Sequence, residues 1–293
     1  MKLYCFPVRA GKLRKAALAM LSVSLMICLL PVAAAAENAV PVPSGLPLPG
    51  DWRTLRPEAI PEAFLNMPYR VDGAMDETGG YTLFADRSKR FSTPGLNCSG
   101  LVLGASRFML GRNITLDEAV RDRNNDSGPG ARDGEDWDFG WDLILNISEG
   151  FPRRFLLPGG AVADPAGTTG FTYRGYDFHD GKTWRELSSR FLPGRLYLLS
   201  LNVEGHVKGY GLQHYHVGLV HVADSGEAWF YQTTGKGAQV NRRDLKSAQG
   251  QASFNRSFAN NGKTRKMLLV LEVDLPHPEP GTAAGRTAKG LFP

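Results

Sequence analysis

The chain has 293 residues, with 34 Lys and Arg against 29 Asp and Glu, a formal net charge of +5. Five of the basic residues (Lys2, Arg9, Lys12, Arg14 and Lys15) precede the first acid, Glu37, so residues 37–293 are formally neutral. That balance gives no electrostatic reason to expect nucleic acid or an anionic membrane as partner.

Residues 1–36 read as an export signal. A basic n-region leads into apolar Ala16 to Leu30, and Ala34-Ala35-Ala36 offers a small-residue cleavage site before Glu37. The apolar run is shorter than the roughly 20 residues of a comfortable membrane span. The expectation is a periplasmic or secreted protein with no stable membrane insertion once the signal is removed. Cys5 and Cys28 leave with that segment, so Cys98 is the single thiol of residues 37–293 and no internal disulfide is possible there. A lone cysteine in an exported chain is either a buried hydrophobe or a reactive group.

Residues 37–55 are proline- and glycine-rich and read as an extended N-terminus. A single domain is expected over 56–275, with a disordered tail at 276–293. Helical spacing runs from Arg56 to Asn66, and Met67-Pro68-Tyr69-Arg70 ends it. A glycine-punctuated loop covers 72–95. From Cys98 the pattern is helical, with Leu101, Val102, Ala105, Phe108 and Met109 on one face, Asn97 as N-cap and Gly111 as stop. Thr115-Leu116-Asp117-Glu118 has the form of a capping box, and so does Thr183-Trp184-Arg185-Glu186. Between them lie a polar loop over 124–136 and a helical stretch from Trp137 to Ile147.

After Leu192-Pro193-Gly194 the pattern changes to strands at Leu196–Leu201, His214–Val222, Ala228–Thr233 and Met267–Leu275, with a tight turn at Asp224-Ser225-Gly226. Helices first and an antiparallel sheet second predict an α+β fold.

Cys98 at the first turn of a helix sits where unpaired N–H groups and the helix dipole favour a thiolate and can hold an oxyanion. Gly100 would leave room for substrate. Of the histidines after the leader, His216 lies inside an apolar strand, with Gly218 leaving space on the same face. If the chain turns near Ser225, Gln232 meets His216 across the hairpin. Asp122, Asp126, Asp133, Glu135, Asp136 and Asp138 match no calcium loop and read as a solvated acidic stretch. Trp137, Phe139 and Trp141 read as packing residues. No metal and no organic cofactor is implied.

Met67-Pro68-Tyr69-Arg70, Asn97-Cys98-Ser99-Gly100-Leu101-Val102, Leu192-Pro193-Gly194 and His216-Val217-Gly218-Leu219, in that order, resemble the NlpC-type cell-wall cysteine peptidases, a papain-like family that cuts peptidoglycan peptides. The resemblance covers about a third of the chain. It implies Cys98 as nucleophile, His216 as base, Gln232 as the orienting group, and Tyr69, Ser99 and Gly100 at the substrate and oxyanion positions. Asn97 stands where the family usually has Asp, and Gln232 where it most often has His. The 118 residues from Cys98 to His216 imply a large, mostly helical insertion over about 112–190. An acyltransferase or deamidase acting on another substrate, or a non-catalytic binding module on the same scaffold, are the alternatives.

Overall fold

Apolar, β-branched and aromatic residues recur in short runs through the second half of the chain, and in the computed structural model those runs form strands of one antiparallel sheet. The structure describes residue 57 and residues 59–128, 136–204, 211–260 and 264–276. The expected export signal, the extended N-terminus and residues 277–293 of the tail lie outside those residues, as do Asp133, Glu135, His206 and His277.

In chain order the elements begin with a short helix α1 (Ala59–Glu62) and a small hairpin of β1 (Gly73–Met75) and β2 (Tyr81–Leu83). Helices α2 (Cys98–Leu110), α3 (Leu116–Ala119) and α4 (Phe139–Ile147) follow, then β3 (Arg153–Leu156), β4 (Val162–Ala163) and α5 (Gly181–Arg190). The strands β5 (Arg195–Glu204), β6 (Leu212–Val222), β7 (Ala228–Gln232) and β8 (Asn241–Asp244) run on to α6 (Ala248–Ser257) and β9 (Lys266–Asp274). The main sheet has the order β4-β3-β9-β5-β6-β7-β8, with every pairing antiparallel. The architecture is α+β.

Side-chain alternation divides the core between the two sheet faces. Leu198, Val217, Leu219, Tyr231 and Leu271 pack in one cluster with α2 and α4. Tyr197, Leu199, Leu201, Val220, Val222 and Phe230 pack in another with Trp184 and Leu187 of α5 and Phe254 of α6. The expected insertion is not confined to helices. Phe155 and Leu156 of β3 pair with Leu271 and Val270 of β9, so this stretch widens the main sheet, and its helix α4 packs on β5 and β6.

Several local expectations hold. The Asn97 side chain caps α2, Gly111 ends it in the left-handed conformation (φ 64°), and the capping box at Thr115 closes both of its bonds. The turn after β6 closes with the Gly226 amide donating to the Ala223 carbonyl, 2.8 Å. The second capping box does not form. Asp180 caps α5, and the Thr183 hydroxyl donates to the Asp177 carbonyl instead. The expected loop over 72–95 contains the β1–β2 hairpin, which is too short to show a period in sequence.

Candidate functional site

Helix α2 is buried along its whole length and Cys98 is its first residue. Cys98 is fully buried, with its Sγ 3.9 Å from the Ser99 hydroxyl. The cap sets the local geometry: the Asn97 Oδ1 accepts from the Gly100 amide at 2.8 Å, while the Asn97 amide donates to the Gly73 carbonyl at 3.0 Å. Two expectations for Gly100 are thereby corrected. Its N–H is used by the cap, and its missing Cβ makes room for backbone, since a Cβ there would lie 2.2 Å from the Gly73 carbonyl oxygen. Gly100 fits α2 against β1 and does not open a path for substrate.

The chain entering α2 is tied to the end of the main sheet. The Arg70 amide donates to the Leu96 carbonyl and the Leu96 amide to the Pro68 carbonyl, both at 3.1 Å. On its other side the same segment is joined to the β7–β8 turn, where the Tyr69 amide donates to the Ala238 carbonyl at 2.7 Å and the Val240 amide to the Met67 carbonyl at 2.8 Å. The Tyr69 ring lies over Gly235, where a Cβ would meet it at 3.4 Å. The mouth of α2 therefore stands at the end of the sheet where β7 finishes with Gln232.

His216 sits in β6 beside a bulge. Leu201 of β5 pairs with His216, but Asn202 pairs with His214, so Tyr215 is the extra residue. Without the bulge His214 and His216, two apart, would share a face. With it they part. His214 turns to the α4 side, its Nδ1 2.9 Å from the Ser200 hydroxyl and its Nε2 2.9 Å from the Gly170 carbonyl. Burial, offset in part by the Gly170 bond, pushes His214 down to about 4, so it is a neutral core residue with both nitrogens engaged.

His216 is buried on the opposite face, with its ring centroid 5.0 Å from that of Phe258 and its Nε2 3.0 Å from Gln232 Oε1. The Gln232 Nε2 donates in turn to Asn241 Oδ1 at 3.4 Å. Gly218 does not leave a space there: a Cβ would lie 2.3 Å from the Phe230 ring, so the glycine admits that ring across the hairpin.

Sequence reasoning brought His216 and Gln232 together correctly and missed Asn241 and Phe258. Asn241 pairs with Gln232 across an eight-residue connection, and the Gly235 and Gly237 within it were the usable sign that the chain turns back there. Phe258 had none, since α6 is polar along much of its length and carries few buried residues.

One residue of the acidic stretch differs from expectation: Asp138 is buried, not solvated, and Asp142, outside that stretch, is buried with it at the start of α4. Asp138 Oδ1 accepts from the Ser127 hydroxyl at 2.5 Å, and Asp142 Oδ1 from the Arg123 amide at 3.3 Å. Burial holds both carboxyls above their usual range, reinforced at Asp138 by Asp126 and Asp122 and at Asp142 first by Asp138, so Asp138 is raised to about 7 and Asp142 to about 9. Trp137, Phe139 and Trp141 are buried as packing residues, and the Trp137 indole donates to the Asp126 carbonyl. Among the described residues no group of three or more His, Cys, Asp or Glu is placed to hold a metal ion, and no helix is long and apolar enough to cross a membrane.

No protein-family model matches the chain, and no curated protein does. Among solved structures, a Legionella pneumophila str. Philadelphia 1 protein of the family model DUF1460 is similar over 77% of this chain and 92% of its own, at 15% identity and a TM-score of 0.42. That likeness is too remote to transfer an activity.

Proposed function

We propose that this chain is an exported cysteine hydrolase with an NlpC-type, papain-like core that cleaves amide bonds in peptidoglycan stem peptides or crosslinks. The observation that carries the reading is the 3.0 Å contact between His216 Nε2 and the Gln232 carbonyl oxygen. A carbonyl oxygen only accepts, so in the neutral ring the proton sits on Nε2 and the lone pair on Nδ1. That is the form a general base needs.

In the proposed reaction His216 Nδ1 takes the Cys98 thiol proton as the sulfur attacks the amide carbonyl. The imidazolium passes that proton to the departing amine, leaving an acyl-enzyme. A water deprotonated by the same nitrogen then releases the acid and regenerates the thiol. The Ser99 amide, next in the first turn after Cys98, is the oxyanion donor we favour in place of Gly100. Tyr69 borders the site. The peptidoglycan substrate rests on the four sequence stations shared with the NlpC-type family.

Digestion of purified peptidoglycan with wild type and Cys98→Ala, followed by mass spectrometry, tests this. New stem-peptide fragments from wild type alone are expected. Intact peptidoglycan with both proteins would remove the reading.

A further inference from the structure

We propose that Asn241 and Arg243 are positioning residues that fix the tautomer of His216 by holding the Gln232 amide in one orientation. A glutamine side chain is nearly symmetric in shape, so nothing steric prevents it from turning its NH2 toward an imidazole. The hydrogen-bond partners decide. If Gln232 presented its NH2, His216 Nε2 would have to accept, the ring proton would move to Nδ1, and the lone pair needed by the thiol would be lost.

The contacts around Gln232 supply a direction. An arginine guanidinium has only donors. Arg243 Nη2 lies 3.5 Å from Asn241 Oδ1, and its Nη1 is anchored on the Ser257 hydroxyl at 2.8 Å. Asn241 Nδ2 donates to the Gln239 carbonyl at 3.2 Å, which also turns Oδ1 toward Arg243 and Gln232. Asn241 Oδ1 then accepts from Gln232 Nε2 at 3.4 Å, leaving Gln232 Oε1 for the imidazole at 3.0 Å. Each step passes on the same polarity, beginning with a group that cannot accept. Gln232 is buried, so water is not at hand to satisfy the wrong orientation, and a mispaired amide there leaves polar groups without partners. The β7–β8 register, which places Asn241 opposite Gln232, is what aligns the relay.

The inference rests on His216 being the base, but its test needs no substrate. Nitrogen NMR of the imidazole reports the tautomer directly. Wild type is expected to show the Nε2–H form. Asn241→Ala is expected to admit the Nδ1–H form and to lower the Cys98 thiolate population near neutral pH roughly tenfold. Asn241→Asp keeps an acceptor facing both Gln232 and Arg243 and should retain the wild-type tautomer. Arg243→Gln, which can donate or accept, should give a mixture, and it supplies a second reading if Asn241→Ala fails to fold. An unchanged Nε2–H form in both Asn241→Ala and Arg243→Gln would overturn the proposal. Equal loss of that form in Asn241→Ala and Asn241→Asp would do so too, because it would make Asn241 merely structural. A tautomer shift in a protein that leaves peptidoglycan intact would keep this inference and sink the hydrolase reading alone.

Discussion

Helices α2 and α4 both start against the main sheet, and their first turns are built from opposite materials. At α2 the Asn97 amide side chain caps the turn, no acid is present, and the first residue is a thiol. At α4 the N-cap is Asp138, whose side chain makes no capping bond, and Asp142 lies in the first turn. A helix N-terminus favours negative charge by about 0.3–1 kcal/mol, up to about 2 in favourable geometry. Taking a carboxylate out of water costs several kcal/mol. Burial wins at α4, where both carboxyls are held toward the protonated form. Cys98 is as deeply buried as Asp138. The proposed enzyme reading therefore asks the His216 imidazole, and not the helix mouth alone, to favour the thiolate.

The comparison can be broken at either end. The largest effect is expected at the mouth of α2, where Gly100→Ala drives a methyl group into the Gly73 carbonyl. A loss of about 2–3 kcal/mol by denaturant unfolding is expected, the upper part of the range for overpacking. At α4 the effect depends on pH. The folded-state values of Asp138 and Asp142 lie above the ordinary 3.8, so the folded protein holds more protons than the unfolded one between about pH 4 and about pH 9. Their contribution is complete below about pH 4 and is lost as the pH rises through the two folded values. Asp142→Asn should flatten that decline, adding about 2 kcal/mol near pH 9 and little near pH 4. Thermal melts across that range check it, and identical pH profiles for variant and wild type would refute the buried-carboxyl account. The smallest effect belongs to the cap. Asn97→Ala should cost about 1 kcal/mol, read as a lowered melting temperature.

What could be read in the sequence follows from the range of the forces involved. The caps of α2, the strands β5, β6, β7 and β9 and the pairing of His216 with Gln232 all depend on local pattern, and all were legible. Asp138 was misread as part of a solvated stretch because charge in sequence says nothing about burial. Asp138 and Asp142 go inside when α4 packs on β5 and β6, which is a tertiary event. Gly100 and Gly218 were misread for a related reason. Each marks a close approach, but only the fold tells whether backbone, a ring or substrate fills the gap. The strands β3, β4 and β8 are four residues or fewer, too short for alternation to register. The bulge at Tyr215, which separates His214 from His216, leaves no mark in composition.

The pairing of sulfur and imidazole is the claim on which the enzyme reading stands, and Cys98 is the single thiol of residues 37–293. Its ionisation can be followed by the ultraviolet absorbance of the thiolate, with Cys98→Ser as the blank, in wild type and in His216→Ala. The account predicts a substantial thiolate signal near pH 7 in wild type that in His216→Ala appears only at alkaline pH, around or above the ordinary thiol value of about 8.5. Superimposable titrations of the two proteins would contradict it.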